Sequence, residues 1–89
     1  MGSSVKVLGT GCTKCSELYH NTVQAMNNLG IDEDIEMVTN DNDIINYGVA
    51  VTPALVLDDM VWTSGDVPSV EGLEEIFRKR ESMRKGSSR

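Results

Sequence analysis

Apolar residues follow two different spacings along this chain of 89 residues. Short apolar runs rich in β-branched residues predict strands, and apolar residues that recur every three or four positions predict amphipathic helices. Helices are predicted after Cys15, Asn40 and Ser69. The predicted strands are Val5–Leu8, Ile35–Val38, Ala54–Leu57 and Val61–Thr63. The pattern therefore predicts the order β-α-β-α-β-β-α.

This order predicts an α/β domain with a four-stranded mixed sheet that is flanked by helices. The first two strands are joined through a helix, so they are expected to be parallel with a right-handed crossover. A tight turn at Asp58-Asp59-Met60 predicts that the last two strands form an antiparallel hairpin. We expect one domain over residues 1–80, followed by a basic and flexible tail over residues 81–89.

Charge is divided unevenly along the chain. The net charge is -6, but residues 78–89 hold six basic residues and one acidic residue, which gives +5 there and leaves -11 for residues 1–77. An acidic body argues against nucleic acid as the main partner. The basic residues at the end of the last predicted helix favour the negative end of its dipole.

The sequence also bears on the cellular compartment of the protein and on the role of its two cysteines. No run of eighteen apolar residues is present, so no membrane span is predicted. The first residues, Met-Gly-Ser-Ser, lack the apolar core of a secretory signal, and we expect a cytoplasmic monomer. Two cysteines in a cytoplasmic chain indicate catalysis or metal binding rather than a structural disulfide.

Those two cysteines form a CxxC motif between the first strand and the first helix, in the sequence Gly9-Thr10-Gly11-Cys12-Thr13-Lys14-Cys15. Unpaired N–H groups and the positive dipole end of the helix stabilise a thiolate at Cys12, and Lys14 adds a nearby positive charge. Cys12 is predicted to attack a disulfide, and Cys15 to resolve the mixed disulfide. Gly11 leaves room for the backbone of a partner. The Cys12–Cys15 disulfide is then the redox centre, with no other cofactor and no metal.

A second motif, Thr52-Pro53, stands at the start of the third predicted strand. X-Pro bonds are the peptide bonds to which the cis form is accessible, and a cis proline at this place exposes the preceding main chain. The main chain of Thr52 is then able to pair with a bound polypeptide. Proline also occurs simply as the first residue of a strand. The presence of the two cysteines favours the functional interpretation.

With these motifs, residues 4–80 resemble the small redox-active disulfide proteins of the thioredoxin-like superfamily. The resemblance implies a thioredoxin-like fold and a thiol–disulfide oxidoreductase. It implies a disulfide-containing protein or small-thiol substrate, and a reductase as electron donor. The roles that it implies are Cys12 as nucleophile, Cys15 as resolving thiol, Pro53 as the cis proline and Gly65 on the substrate-facing surface.

The chain departs from thioredoxin itself at three places. Gly11 stands where thioredoxin has a tryptophan, and Thr13 and Lys14 stand between the cysteines where thioredoxin has a proline. The first strand holds no acidic residue, and Lys6 is its one charge.

Two other classes of protein use a dithiol in this way. A carrier of soft metal, Cu(I) or arsenite, binds through two thiolates, and a binding module switches its surface through a disulfide without turnover. Heavy-metal-associated domains, however, have methionine where Thr10 stands, and their order is β-α-β-β-α-β. A structural zinc site needs about four ligands, whereas this chain has two cysteines and His20.

Overall fold

The seven elements occur in the predicted order in a computed structural model, which describes residues 5–9 and 13–86. The sheet contains β1 (Val5–Leu8), β2 (Ile35–Val38), β3 (Ala54–Leu57) and β4 (Met60–Ser64). The helices are α1 (Thr13–Leu29), α2 (Asp41–Asn46) and α3 (Val70–Gly86). This order differs from that of heavy-metal-associated domains. Among the described helices, none is long and apolar enough to cross a membrane.

The four strands form one mixed sheet in the order β2-β1-β3-β4. β1 is parallel to β2 and antiparallel to β3, and β4 pairs with β3 as the antiparallel hairpin that the sequence predicted. The predicted α/β fold with a mixed sheet is therefore confirmed. The two central strands, β1 and β3, are the buried ones, and only Lys6 among their residues is partly exposed.

Each face of the sheet has its own core, because successive side chains of a strand point to opposite faces. α1 and α3 pack on one face, and α2 lies on the other. The first core comprises Val5, Val7, Leu18, Ala25, Met26, Leu55, Leu57, Leu73 and Phe77. The second core comprises Leu8, Val38, Ile44, Val49, Ala54 and Val56. Helices thus cover both faces, as expected.

Side-chain caps begin α2 and α3 at Asn40 and Ser69, the residues after which the sequence predicted these helices. The Oδ1 atom of Asn40 accepts hydrogen bonds from the N–H groups of Asn42 at 2.8 Å and Asp43 at 3.4 Å. The Oγ atom of Ser69 accepts one from the N–H of Gly72 at 3.1 Å. These bonds satisfy donors that have no partner inside the helix, and they fix where α2 starts after β2.

A buried arginine connects α3 to two loops. Arg80 is 3% exposed, and its Nε atom donates to Oδ2 of Asp58 at 2.8 Å. Its Nη2 atom donates to Oδ1 of Asp58 at 3.1 Å and to Oε1 of Glu33 at 2.8 Å. The hydrogen bonds to Asp58 are the main reason that the pKa of Arg80 lies above its usual value, and Glu33 raises it further. The guanidinium therefore joins α3 to the β3–β4 turn and to the loop before β2.

The predicted boundary at residue 80 falls inside α3, because the helix continues to Gly86. The flexible tail expected over residues 81–89 is therefore helical as far as Gly86, and residues 87–89 lie outside the described residues. Arg80 belongs to the folded body, although the sequence groups it with the basic end of the chain.

We expect Arg80→Met to lower the free energy of unfolding by about 2 kcal/mol, because both carboxylates lose the guanidinium. Breaking a fully buried ion pair costs about 3–5 kcal/mol, and the loss here is smaller because Glu33 and Asp58 are 30% and 38% exposed. Urea denaturation measures it. Arg78→Met is the matched control, since Arg78 is 63% exposed and lies 3.7 Å from Glu74. Its expected loss is below about 0.5 kcal/mol, and equal losses in the two variants would contradict the role of Arg80.

Candidate active site

The described residues of the CxxC motif and the Thr52-Pro53 motif lie at one edge of the sheet. Leu8, the last residue of β1, pairs with Ala54, the first residue of β3. The antiparallel register, continued by one residue, brings Gly9 opposite Pro53. Cys15 lies in the first turn of α1, directly after this edge. The ladder between β1 and β3 therefore brings Gly9, and the Cys15 side chain that lies against it, to the same edge as the Thr52-Pro53 motif.

Thr10, Gly11 and Cys12 lie outside the described residues. The expected roles of Cys12 and Gly11 therefore stay predictions. Lys14 is exposed in the first turn of α1, and its effect on the Cys12 thiolate stays a prediction as well.

Cys15 is completely buried, and its sulfur lies against Gly9. A Cβ atom on Gly9 would overlap the Sγ atom of Cys15, so only a glycine leaves space for the sulfur in this position. Gly9 is itself held in place, because its N–H donates to the carbonyl of Val38 at 2.9 Å. The residue that follows β1 therefore packs directly against the side chain of Cys15.

The segment before β3 is held by the end of β4. The Thr52–Pro53 peptide bond is cis, Pro53 is buried and Thr52 is half-buried. The N–H of Gly65 donates to the carbonyl of Pro53 at 2.7 Å, and the hydroxyl of Ser64 donates to the carbonyl of Val51 at 2.8 Å. The main chain of Thr52 makes no hydrogen bond to any other residue that the structure describes. Both neighbours of Thr52 are thus anchored, while its own main-chain groups make no hydrogen bond within the described part of the chain.

Gly65 lies close beside this segment, and its expected place on a substrate-facing surface stays a prediction. Its φ angle is 83°, a conformation that favours glycine. A Cβ atom at this position would lie 2.8 Å from Cγ1 of Val51, whose side chain is 56% exposed. Gly65 therefore permits a close approach between the end of β4 and the segment that contains Thr52.

Lys6, the one charge of β1, lies on the opposite face of the sheet from Cys15. Its neighbours Val5 and Val7 face α1 and α3, so Lys6 points to the face of α2. There its Nζ atom donates to the hydroxyl of Tyr47 at 2.7 Å and lies 3.9 Å from Oδ1 of Asp59. The hydrogen bond to Tyr47 is the largest cause of a raised pKa at Lys6. Since Cys15 belongs to α1, the sheet separates Lys6 from that sulfur.

The sequence analysis missed the contributions of Ser64, Val51 and Gly9 to this site. In the sequence, Gly9 is only the first residue of the segment that contains the CxxC motif. One signal in the sequence was available, because Ser64 stands directly before Gly65. In the predicted antiparallel hairpin, the end of the last strand lies beside the start of β3, where Ser64 pairs with Ala54.

Comparison with known proteins gives one family. Residues 3–78 match the model of the thioredoxin domain family. Over 74 residues the chain is 42% identical to a thioredoxin of Methanocaldococcus jannaschii, which covers 83% of this chain and 85% of that protein. Over 73 residues it is 32% identical to a thioredoxin of Methanothermobacter thermautotrophicus, which covers 82% of this chain and 95% of that protein. Both motifs lie within the matched region.

We expect Gly9→Ala to destabilise the protein and to slow closure of the ring between the two cysteines, because the new methyl group displaces the sulfur of Cys15. Overpacking of this kind costs about 1–3 kcal/mol. Urea denaturation measures the first effect, and mass spectrometry of quenched reactions measures mixed disulfides that accumulate. Gly72→Ala is the control, since its Cβ would make ordinary contacts at 3.5 Å in a helix. A Gly9→Ala protein as stable as Gly72→Ala would contradict the contact with Cys15.

We expect Gly65→Ala to cost more stability than Gly48→Ala. Both glycines have positive φ angles, 83° and 77°, so both variants lose about 1–2 kcal/mol from backbone strain. A Cβ atom at Gly48 meets open space, whereas one at Gly65 meets Val51. The difference in unfolding free energy between the variants therefore measures this contact, and identical values would show that the segment moves away without cost.

Proposed function

The chain belongs to the thioredoxin family and is a thiol–disulfide oxidoreductase, and from that premise we propose that Cys12 and Cys15 are the thiols that carry its electrons. One observation carries the proposal. The buried Cys15 and the Thr52-Pro53 segment lie at the same edge of the sheet, where β1 and β3 pair. A substrate that binds to the main chain at this edge is thereby held beside the helix start that carries the dithiol.

Cys12 is the nucleophile of the reduced protein. Its thiolate attacks one sulfur of the substrate disulfide, forms a mixed disulfide and releases the other sulfur as a thiolate. The thiolate of Cys15 then attacks the sulfur of Cys12, and the second substrate sulfur leaves. Two electrons have passed to the substrate, and Cys12 and Cys15 are joined by a disulfide. The complete burial of Cys15 supports this division, because a buried thiol is a poor first nucleophile.

Lys14 favours the thiolate of Cys12. Lys14 comes two positions after Cys12 in the sequence, and its side chain is exposed in the first turn of α1. The helix dipole also favours negative charge at this end of the helix. An exposed lysine contributes modestly, since solvent screens its charge. The start of the helix therefore makes the larger contribution.

Thr52 binds the substrate through its main chain. An extended substrate segment pairs with Thr52 as an added strand, and the lack of hydrogen bonds from Thr52 to the described residues supports this role. Gly65 and Gly11 leave space for that segment, and the exposed side chain of Val51 offers it an apolar contact. Recognition then depends on the main chain of the substrate more than on its side chains.

Members of the family act on disulfide substrates and receive electrons from a reductase. For this chain we propose a disulfide-containing protein or a small-thiol substrate, and a reductase that reduces the Cys12–Cys15 disulfide after each turnover. The dithiol needs no further cofactor, because both electrons reside on the two sulfur atoms.

We expect Cys12→Ser to abolish reduction of insulin by dithiothreitol beyond the uncatalysed rate, because the attacking thiolate is lost. Cys15→Ser should still attack but should accumulate a mixed disulfide with the substrate, since no second thiol resolves it. Alkylation followed by mass spectrometry detects this adduct. Turnover retained in Cys12→Ser would contradict the assignment.

The wild-type protein is the control for both variants. In glutathione buffers it should titrate as one reversible two-electron couple with an intramolecular disulfide. Stoichiometric Cu(I) on a dithiol that does not form this disulfide would instead indicate a metal carrier.

A further inference from the structure

We propose that Ser64 is a positioning residue for substrate recognition, because its hydroxyl fixes the peptide group that presents the N–H of Thr52. Ser64 is the last residue of β4. The inference rests on the proposed function, in which the main chain of Thr52 pairs with the substrate.

The first step of the argument is the geometry of one peptide group. The carbonyl of Val51 and the N–H of Thr52 belong to the same planar trans peptide, so they point in opposite directions. The hydroxyl of Ser64 donates to that carbonyl at 2.8 Å. When this bond holds the carbonyl toward β4, the N–H of Thr52 must point away from β4. Ser64 therefore sets the direction of a donor that it does not touch.

A second hydrogen bond holds the other side of Thr52. The N–H of Gly65 donates to the carbonyl of Pro53 at 2.7 Å. This bond joins two main-chain groups, so it is present whatever the side chain at position 65. The bond from Ser64 depends on a side chain, and substitution removes it without changing any main-chain group. Two hydrogen bonds therefore hold the residues on either side of Thr52, and only the one from Ser64 can be removed by a side-chain substitution.

The size of the effect follows from the exposure of this bond. Ser64 is exposed, so water competes for its hydroxyl, and the net contribution of such a bond is modest. Loss of the bond leaves the Val51–Thr52 peptide free to rotate, and this freedom must be lost again when the substrate binds. We therefore expect an effect on substrate affinity of about two- to tenfold. The sulfur chemistry at the two cysteines should not change.

The test compares Ser64→Thr with Ser64→Val. Threonine and valine have the same shape and both suit a strand, but only threonine keeps the hydroxyl. Each reduced variant is oxidised by insulin in a single turnover, and thiols are counted by alkylation. Ser64→Val should raise the half-saturating concentration of insulin about two- to tenfold relative to Ser64→Thr, with equal maximal rates. Ser64→Thr should match the wild-type protein.

A small aromatic disulfide, 5,5′-dithiobis(2-nitrobenzoic acid), separates positioning from a general structural effect, because it has no peptide main chain. The two variants should react with it at equal rates. Equal half-saturation by insulin in the two variants would overturn the proposal. If Ser64→Val reacted more slowly than Ser64→Thr by the same factor with insulin and with the aromatic disulfide, the proposal would also be overturned. That result would indicate a disturbed dithiol.

A further pair of substrates distinguishes failure of this inference from failure of the proposed function. The wild-type protein is given a peptide disulfide and the same peptide with N-methylated amides beside its cysteines. Weaker binding of the methylated peptide supports main-chain pairing at Thr52. Equal binding would overturn the substrate-binding part of the proposed function, and the role of Ser64 with it. A methylation effect together with identical Thr and Val variants would overturn the role of Ser64 alone.

Discussion

The antiparallel ladder between β1 and β3 is the constraint on which the rest of the structure depends. It pairs Leu8 with Ala54 and so fixes which loops meet at the edge of the sheet. A shift of one residue would turn every side chain of a strand to the opposite face. Lys6 would then point into the core under α1 and α3, away from Tyr47, while Val5 and Val7 would lose that core. The two hydrophobic cores therefore enforce the register, and the register brings Gly9 and Pro53 together.

The β3–β4 hairpin is held in place at both ends of its strands. Its turn has positive φ angles of 53° at Asp58 and 65° at Asp59, which suit the twist of a two-residue hairpin. Arg80 binds the carboxylate of Asp58 and so fixes this end of the hairpin to α3. At the other end, Ser64 and Gly65 return to the start of β3. One hairpin therefore links the buried ion pair to the candidate substrate segment, although the two lie at opposite ends of its strands.

Local patterns were sufficient to predict the elements of the fold, and they named the CxxC and Thr52-Pro53 motifs as the candidate site. The strand spacing of Val5–Leu8, the helical spacing after Cys15 and the cap residues Asn40 and Ser69 all act within a few residues, so they are visible in the sequence. The resemblance carried by the two motifs gave the family, which the comparisons confirm. The roles of Cys12 and Gly11 stay predictions, since both residues lie outside the described residues.

Contacts between distant residues were not predictable in this way. Arg80 and Glu33 are 47 positions apart, and Ser64 and Val51 are 13 apart. Nothing in the residues around Arg80 distinguishes it from the other basic residues of the same helix. α3 also continues to Gly86, past the predicted boundary at residue 80, because a high density of basic residues does not determine where a helix ends.

The site depends on two glycines, because their lack of a side chain leaves space for neighbouring groups. Gly9 gives its space to the sulfur of Cys15, and Gly65 gives its space to Val51. Each glycine brings a main chain close to a group that would otherwise lie farther away. Under the proposed function, the substrate is recognised by main-chain groups and by its own disulfide. A site of this kind has little need of a deep pocket for side chains, but its few donors and acceptors must be held in fixed directions. Both anchors beside Thr52 serve that requirement, because they come from a strand end that the sheet already holds in place.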